Sequence, residues 1–151
     1  MIELIPYESK YQPDFKRLNL EWLDKYNLTE SHDLEILDDP DGTVITRGGC
    51  IFLAREGEQI VGTAGLWMEN KEEYELVKMA VEPSFRGQGI SKILLERCLD
   101  EAHKRKARKV FLFSNSQLKT AIALYLKYGF QHVEVKDAPF KTADVKMELV
   151  L

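Results

Sequence analysis

The stretch Arg86-Gly87-Gln88-Gly89-Ile90-Ser91 follows an apolar, strand-like run ending at Val81 and opens the helical spacing Ile90, Leu94, Cys98, Ala102. A strand that passes into a helix through glycines presents free backbone N–H groups and the positive end of a helix dipole to an anion. Gly87 and Gly89 let the backbone approach a ligand closely, because no Cβ stands in the way, and Arg86 adds a fixed positive charge. Two better-known phosphate motifs are excluded. A dinucleotide fingerprint needs glycine or alanine at position 92, where Lys92 stands, and a parallel βαβ unit, whereas the strands before this loop read as antiparallel. A P-loop needs Gly-Lys-Ser or Gly-Lys-Thr after its spacer, and the chain has neither. The glycines alone fit equally a plain strand-to-helix turn whose helix packs on the sheet.

Upstream of the loop the period is two: Cys50 to Arg55, Gln59 to Trp67 and Tyr74 to Val81 are separated by turn signals at Glu56-Gly57-Glu58 and Asn70-Lys71 and predict an antiparallel meander. Before it, Ile2, Leu4 and Ile5 predict a short strand. A helix starts near Pro13 with Phe15, Leu18, Trp22 and Tyr26 on one face. Thr29 is the expected cap of a second helix through Leu34, Ile36 and Leu37, which ends in the turn chemistry of Asp39-Pro40-Asp41-Gly42. These two helices would form a lid or wall. Downstream, the long helix runs from Ile90 to Lys104, followed by a strand from Lys109 to Phe113, a helix from Leu118 to Tyr128 capped by Gly129, and closing strands at Phe130 to Val135 and Asp144 to Leu149. No repeat or linker interrupts the order, so residues 1–151 read as one domain.

Composition bounds what such a domain does. The chain has 151 residues, 44% hydrophobic and 30% charged, with net charge −4. A chain of this length buries about 70% of its unfolded surface and needs no disulfide or metal to hold a core. Two Trp, six Tyr and seven Phe exclude a disordered chain. The acidic balance argues against nucleic-acid binding, and the basic run from Lys104 to Lys109 is read as cations at a helix C-terminus. Cys50 and Cys98 lack CxxC spacing and are expected to be buried, reduced thiols. Met1 to Ile5 has no leader character, and no apolar run approaches the roughly 18 to 20 residues of a membrane span, so a cytoplasmic protein with no membrane partner is expected. His32, His103 and His132 show no ligand spacing, so no metal is expected. No serine sits in a Gly-x-Ser-x-Gly elbow.

The loop resembles the Arg/Gln-x-x-Gly-x-Gly/Ala pyrophosphate loop of the GNAT superfamily of acyl-CoA-dependent N-acyltransferases, with Ser91 departing from the final Gly/Ala. Glu75 to Val81 is similar to that family's central strand, and Asn115 with Leu124-Tyr125-Leu126-Lys127-Tyr128-Gly129-Phe130 to its second cofactor motif; the three motifs stand in the family's order over residues 50 to 149. The resemblance implies a single α/β domain of GNAT type: a mixed, mainly antiparallel sheet splayed at its centre with helices on both faces. It implies acetyl-CoA as co-substrate, an N-acetyltransferase acting on a small-molecule or peptide primary amine by direct attack in a ternary complex, and a family in which homodimers occur. The alternative class is a regulatory module that binds acyl-CoA without turnover.

The resemblance also assigns residues. Pantetheine would lie between the strand carrying Met79, Ala80 and Val81 and the strand from Phe111 to Phe113, with a backbone N–H near Met79 or Val81 on the acyl carbonyl. Arg86, Gly87, Gln88, Gly89, Ile90 and Ser91 would hold the pyrophosphate, Asn115 the pantetheine amides and Lys127 the 3′-phosphate. Asn115 as a turn residue and Lys127 as a solvated lysine are the plain alternatives. An amine nucleophile, with a pKa of about 10.4, must lose a proton, and a departing thiolate is helped by gaining one. Glu75 is the candidate base, with Glu69, Glu72 and Glu73 as rivals and a structural strand role as its alternative. Tyr125 is the candidate acid, with Tyr128, about 300° round the same helix, as its rival. Trp22, Tyr26, His32, Asp33, Phe85 and Phe140 are the candidate walls of an acceptor pocket, against the ordinary reading of aromatic residues as core.

Overall fold

In a computed structural model describing residues 1–151, the alternating runs between Cys50 and Val81 pair antiparallel. They form strands β2 (Cys50–Glu56), β3 (Gln59–Met68) and β4 (Glu73–Val81). Strand β1 (Ile2–Pro6) pairs with β2 at the sheet edge, where a proline is tolerated. Strands β5 (Lys109–Ser114), β6 (Gln131–Val133) and β7 (Val145–Val150) complete a seven-stranded sheet in the order β1-β2-β3-β4-β5-β7-β6. Every neighbouring pair is antiparallel except β4 and β5. Their parallel ladder has only three register pairs, Glu73 with Lys109, Tyr74 with Val110 and Glu75 with Phe111. Beyond them β4 runs on to Val81 and β5 to Ser114 without pairing with each other, so the sheet is split from its centre.

Helices α1 (Gln12–Lys25), α2 (Ser31–Asp38), α3 (Ile90–Lys104) and α4 (Lys119–Lys127) cover both faces. On one face, Ile90, Leu94, Leu95, Cys98 and Ala102 of α3, with Tyr125 of α4, pack on Tyr74, Leu76, Val110 and Leu112. On the other, Phe15 and Leu18 of α1 and Ile36 and Leu37 of α2 pack on Ile51, Leu53, Ile60 and Ala80. Each buried Leu, Ile or Phe among them contributes about 1.5–3 kcal/mol by leaving water. No helix is long and apolar enough to cross a membrane.

Three helices end in the same way. Asn27, Lys106 and Gly129 have φ of 56°, 59° and 95°, and the residue after each donates its N–H back to the carbonyl five positions earlier. The basic run is therefore spent on the end of α3 and on ion pairs. Arg105 donates to Glu101 and to the Gly48 carbonyl, and Lys109 lies 3.1 Å from both Glu73 and Glu148. Several local expectations are corrected. The N-cap of α2 is Glu30, in a reciprocal box with Asp33, while the Thr29 hydroxyl donates to Asp24. The turn at 39–42 continues into a π-helical turn, Asp41–Ile45. Strand β6 is three residues long because its pairing with β7 ends at Val133. Cys98 is buried but Cys50 only half-buried.

At Gly129 the left-handed backbone demands glycine. Gly129→Ala is expected to lower stability by about 1–2 kcal/mol, read as a lower urea midpoint with an unchanged slope.

Candidate active site

The loop after β4 is shaped by two glycines. Gly87 and Gly89 have φ of 80° and 79°, and nothing lies within 4 Å of where a Cβ would stand on either. Backbone conformation therefore requires glycine here, and the space above the loop is open. Gly89 is the N-cap of α3, and no side chain caps that helix, so the N–H groups of its first turn face outward without a protein partner. The Arg86 guanidinium stacks on the Trp22 ring at 4.8 Å, and its Nε is buried without a hydrogen-bond partner. A cavity of about 290 Å³ extends from Arg86, Gly87, Gly89, Ile90, Ser91 and Lys92 along Met79, Ala80 and Val81 to Tyr125. Unpartnered N–H groups, an orphaned arginine nitrogen and an open cradle at one helix N-terminus fit a pyrophosphate.

A second cavity, about 130 Å³, occupies the split in the sheet and reaches under α1 and α2. Leu76, Val77, Lys78 and Met79 line it from β4, and Leu112, Phe113 and Ser114 from β5. Trp22, Met79, Leu118 and Tyr125 border both cavities, so the two meet there.

Glu75 lies in the second cavity at the last position of β4 that pairs with β5 and is 9% exposed. Burial pushes its carboxyl up to about 7, against the opposing pull of Lys78 and Lys146 and with a small push from Glu69. None of the rival carboxylates lines either cavity. Glu73 is tied to Lys109 and Glu72 lies 3.7 Å from Arg108. The other carboxylate in the cavity, Asp33, is committed to a buried ion pair with Lys78 Nζ, which also lies 5.0 Å over the Phe140 ring. Tyr125 is buried against Phe130 with ring centres 5.8 Å apart, and burial pushes its phenol upward, so it stays protonated at neutral pH. Tyr128 lines neither cavity.

The expected acceptor wall is redrawn. Trp22, Asp33 and Phe140 line the second cavity. Tyr26, His32 and Phe85 do not. Tyr26 sits past the end of α1 and packs edge-on to Trp22 at 5.0 Å. His32 stands behind the wall, 5.0 Å from Phe140 and 6.2 Å from Trp67. Phe85 belongs to the loop cavity, because the turn Pro83–Phe85 carries it away from β4. Asn115 borders the split rather than the loop, and its side chain is engaged locally, donating to the Thr142 carbonyl at 2.7 Å and accepting from the Gln117 N–H at 3.0 Å. Gln88 and Lys127 are exposed and line neither cavity. Sequence reading missed Lys78 and Asn19. Asn19 carries a signal, since a polar residue four positions after Phe15 falls on an apolar helix face.

The split sheet thus has a helix N-terminus with unpartnered N–H groups at one end and a buried carboxylate beyond it. Residues 11–130 match the family described as Acetyltransferase (GNAT) family, and the chain belongs to it. It is 34% identical over 90 residues to N-acetyltransferase 8B of Rattus norvegicus, covering 56% of this chain and 40% of that protein. It is 30% identical over 80 residues to the ribosomal protein bS18-alanine N-acetyltransferase of Escherichia coli, covering 53% of this chain and 54% of that protein. The chain thus spans about half or less of the length of these curated relatives. In fold it is similar to a GNAT-family acetyltransferase from Staphylococcus aureus, with a TM-score of 0.89 at 22% identity over 98% of each chain. It is likewise similar to PaiA N-acetyltransferase from Thermoplasma acidophilum in complex with coenzyme A, with a TM-score of 0.78 at 16% identity over 100% of this chain and 99% of that one.

Because Glu75 has a folded pKa above its ordinary value of 4.5, it contributes stability below pH 4.5 that is lost as pH rises through about 7. Glu75→Gln, measured by urea unfolding across this range, is expected to match wild type in acid and to exceed it by about 3 kcal/mol above pH 8. Asp33→Ala leaves the Lys78 ammonium buried and unpaired, and the same assay should read a loss of about 3 kcal/mol or more.

Proposed function

We propose that this chain is an acetyl-CoA-dependent N-acetyltransferase that moves an acetyl group to a primary amine by direct attack in a ternary complex. One observation carries the reading: an unpaired, buried carboxylate, Glu75, stands in a cavity that joins the glycine-loop cavity at Tyr125. The solved relatives add support, since the Thermoplasma protein is described in complex with coenzyme A and a Salmonella typhimurium protein, yncA, with acetyl-CoA.

Acetyl-CoA supplies the activated acyl carbon as a thioester. Gly87, Gly89, the first turn of α3 and Arg86 bind its pyrophosphate. The unpaired edges of β4 and β5 offer backbone groups to the pantetheine amides, in the manner of an added strand. The Met79 N–H polarises the acyl carbonyl. Glu75 accepts the ammonium proton of the acceptor, directly or through water. Its value of about 7 leaves about half of it ionised and able to take that proton at neutrality. The new C–N bond forms as the C–S bond breaks; Tyr125 gives its proton to the leaving sulfur, and the second nitrogen proton, released as the amide forms, returns through water to the Tyr125 oxygen. Neither Cys50 nor Cys98 lines either of these two cavities, which supports direct attack over a cysteine-bound acyl intermediate. With Asp33 and Lys78 neutralising each other, Glu75 leaves the pocket with a net negative charge, which suits a cationic amine. The curated relative named for ribosomal protein alanine points to the same acceptor group.

The reading is tested by thiol release from acetyl-CoA over a panel of amines. The wild-type rate should rise through about pH 7 to a plateau. Glu75→Gln should lose that limb and slow by about 10²-fold or more. Tyr125→Phe should lower kcat by a similar factor while acetyl-CoA still raises the melting temperature. Thermal stabilisation by acetyl-CoA with no thiol release from any amine would favour the regulatory module instead.

A further inference from the structure

The strand carrying the acyl site is bent by a bulge, and that bulge is held from α1. The β3 register passes from Thr63–Ala80 to Gly65–Val77, so Lys78 and Met79 together face the single residue Ala64. Pairing with β5 has already ended at Glu75. Lys78 has φ of 53°, a conformation that a long side chain rarely adopts without being held.

A directional chain of hydrogen bonds does the holding. Asn19 is 2% exposed; its Nδ2 donates to the Phe15 carbonyl at 2.9 Å and to Thr63 Oγ1 at 3.1 Å. Thr63 is 0% exposed and donates its one hydroxyl hydrogen to the Lys78 carbonyl at 2.8 Å. The polarity cannot reverse, because the Lys78 carbonyl only accepts and the Asn19 amide nitrogen only donates. In a trans peptide the carbonyl and the following N–H point in opposite directions. With its carbonyl turned to Thr63, the Lys78–Met79 peptide turns the Met79 N–H away from Thr63. Met79 is also the β4 residue that borders both cavities.

We propose that Asn19 and Thr63 are positioning residues for acyl transfer: acting through the Lys78 carbonyl, they aim the Met79 N–H at the carbonyl of the bound thioester. The inference rests on the acetyltransfer reading above. A donor held in place before the reaction stabilises developing negative charge without reorganising, whereas a free bulge would let the peptide rotate. It also accounts for two polar side chains kept inside an otherwise apolar layer between α1 and the sheet, where each hydrogen bond must be satisfied.

Thr63→Val keeps the shape of the side chain and removes the donor; Thr63→Ser keeps the donor. In amide NMR of wild type, adding acetyl-CoA should shift the Met79 amide proton together with those of Gly87 and Gly89. In Thr63→Val the Gly87 and Gly89 shifts should persist and the Met79 shift should be lost, while kcat falls by about tenfold or more with the amine KM unchanged. Thr63→Ser should restore both the shift and most of the rate. A Met79 shift that persists in Thr63→Val, or a Thr63→Ser as slow as Thr63→Val, overturns the inference. Absence of any shift at Gly87 and Gly89 in wild type overturns the acetyl-CoA reading itself, and this inference with it.

Discussion

Everything in this molecule follows from the early end of the β4–β5 ladder. The two strands are fastened at one end, where the Glu72 carbonyl accepts the N–H groups of both Arg108 and Lys109 at 2.7 and 3.2 Å, and their register stops after Glu75 and Phe111. Past that point the bulge at Lys78 and Met79 turns β4 aside, as an extra residue in one strand does by sharpening the local twist. A sheet that separates in its interior exposes two rows of backbone donors and acceptors that would otherwise satisfy each other. Such rows are tolerated only where water or a ligand can reach them. The split is thus at once a break in the sheet's ladder and the place where a cavity opens into its interior.

The helices make the split usable. The crossover from β4 to β5 is α3, so the N-terminus of that helix is delivered to the end of the split where β4 leaves it. The glycine-loop cavity and the cavity in the split are consequently two ends of one path, not independent features. On the opposite face α1 and α2 seal the far end, and they do so with charge as well as apolar surface. Asp33 of α2 neutralises Lys78 on β4, which leaves Glu75 as the cavity's one uncommitted carboxylate. Its raised pKa is then a result of enclosure more than of any single neighbour.

The long elements were legible because their periodicity is strong: α3 spans Ile90–Lys104 as read, and the three strands of the meander fall within a residue of their expected ends. The glycine loop was legible for the same reason, since strand, glycines and helix are contiguous in the chain. The acceptor wall was not. Trp22, Asp33 and Phe140 converge from three separate segments, and their neighbours Tyr26 and His32 have similar chemistry but sit one layer back. Nothing in local spacing distinguishes a ring that faces the cavity from one that supports it.

The sequence by itself determined the order of elements and the glycine loop from Arg86 to Ser91 that opens a helix, because each depends on residues near one another in the chain, while Glu75 and Tyr125 entered as candidates through the family resemblance. Tertiary structure alone decided that Lys78 would be neutralised by Asp33, that Glu75 would be enclosed enough to titrate near 7, and that Asn19 and Thr63 would hold the Lys78 carbonyl. These are contacts across 15 to 45 positions of chain, and they arise only when strands and helices are packed. Burial and partnership, which set the charge and direction of a functional group, are properties of that packing.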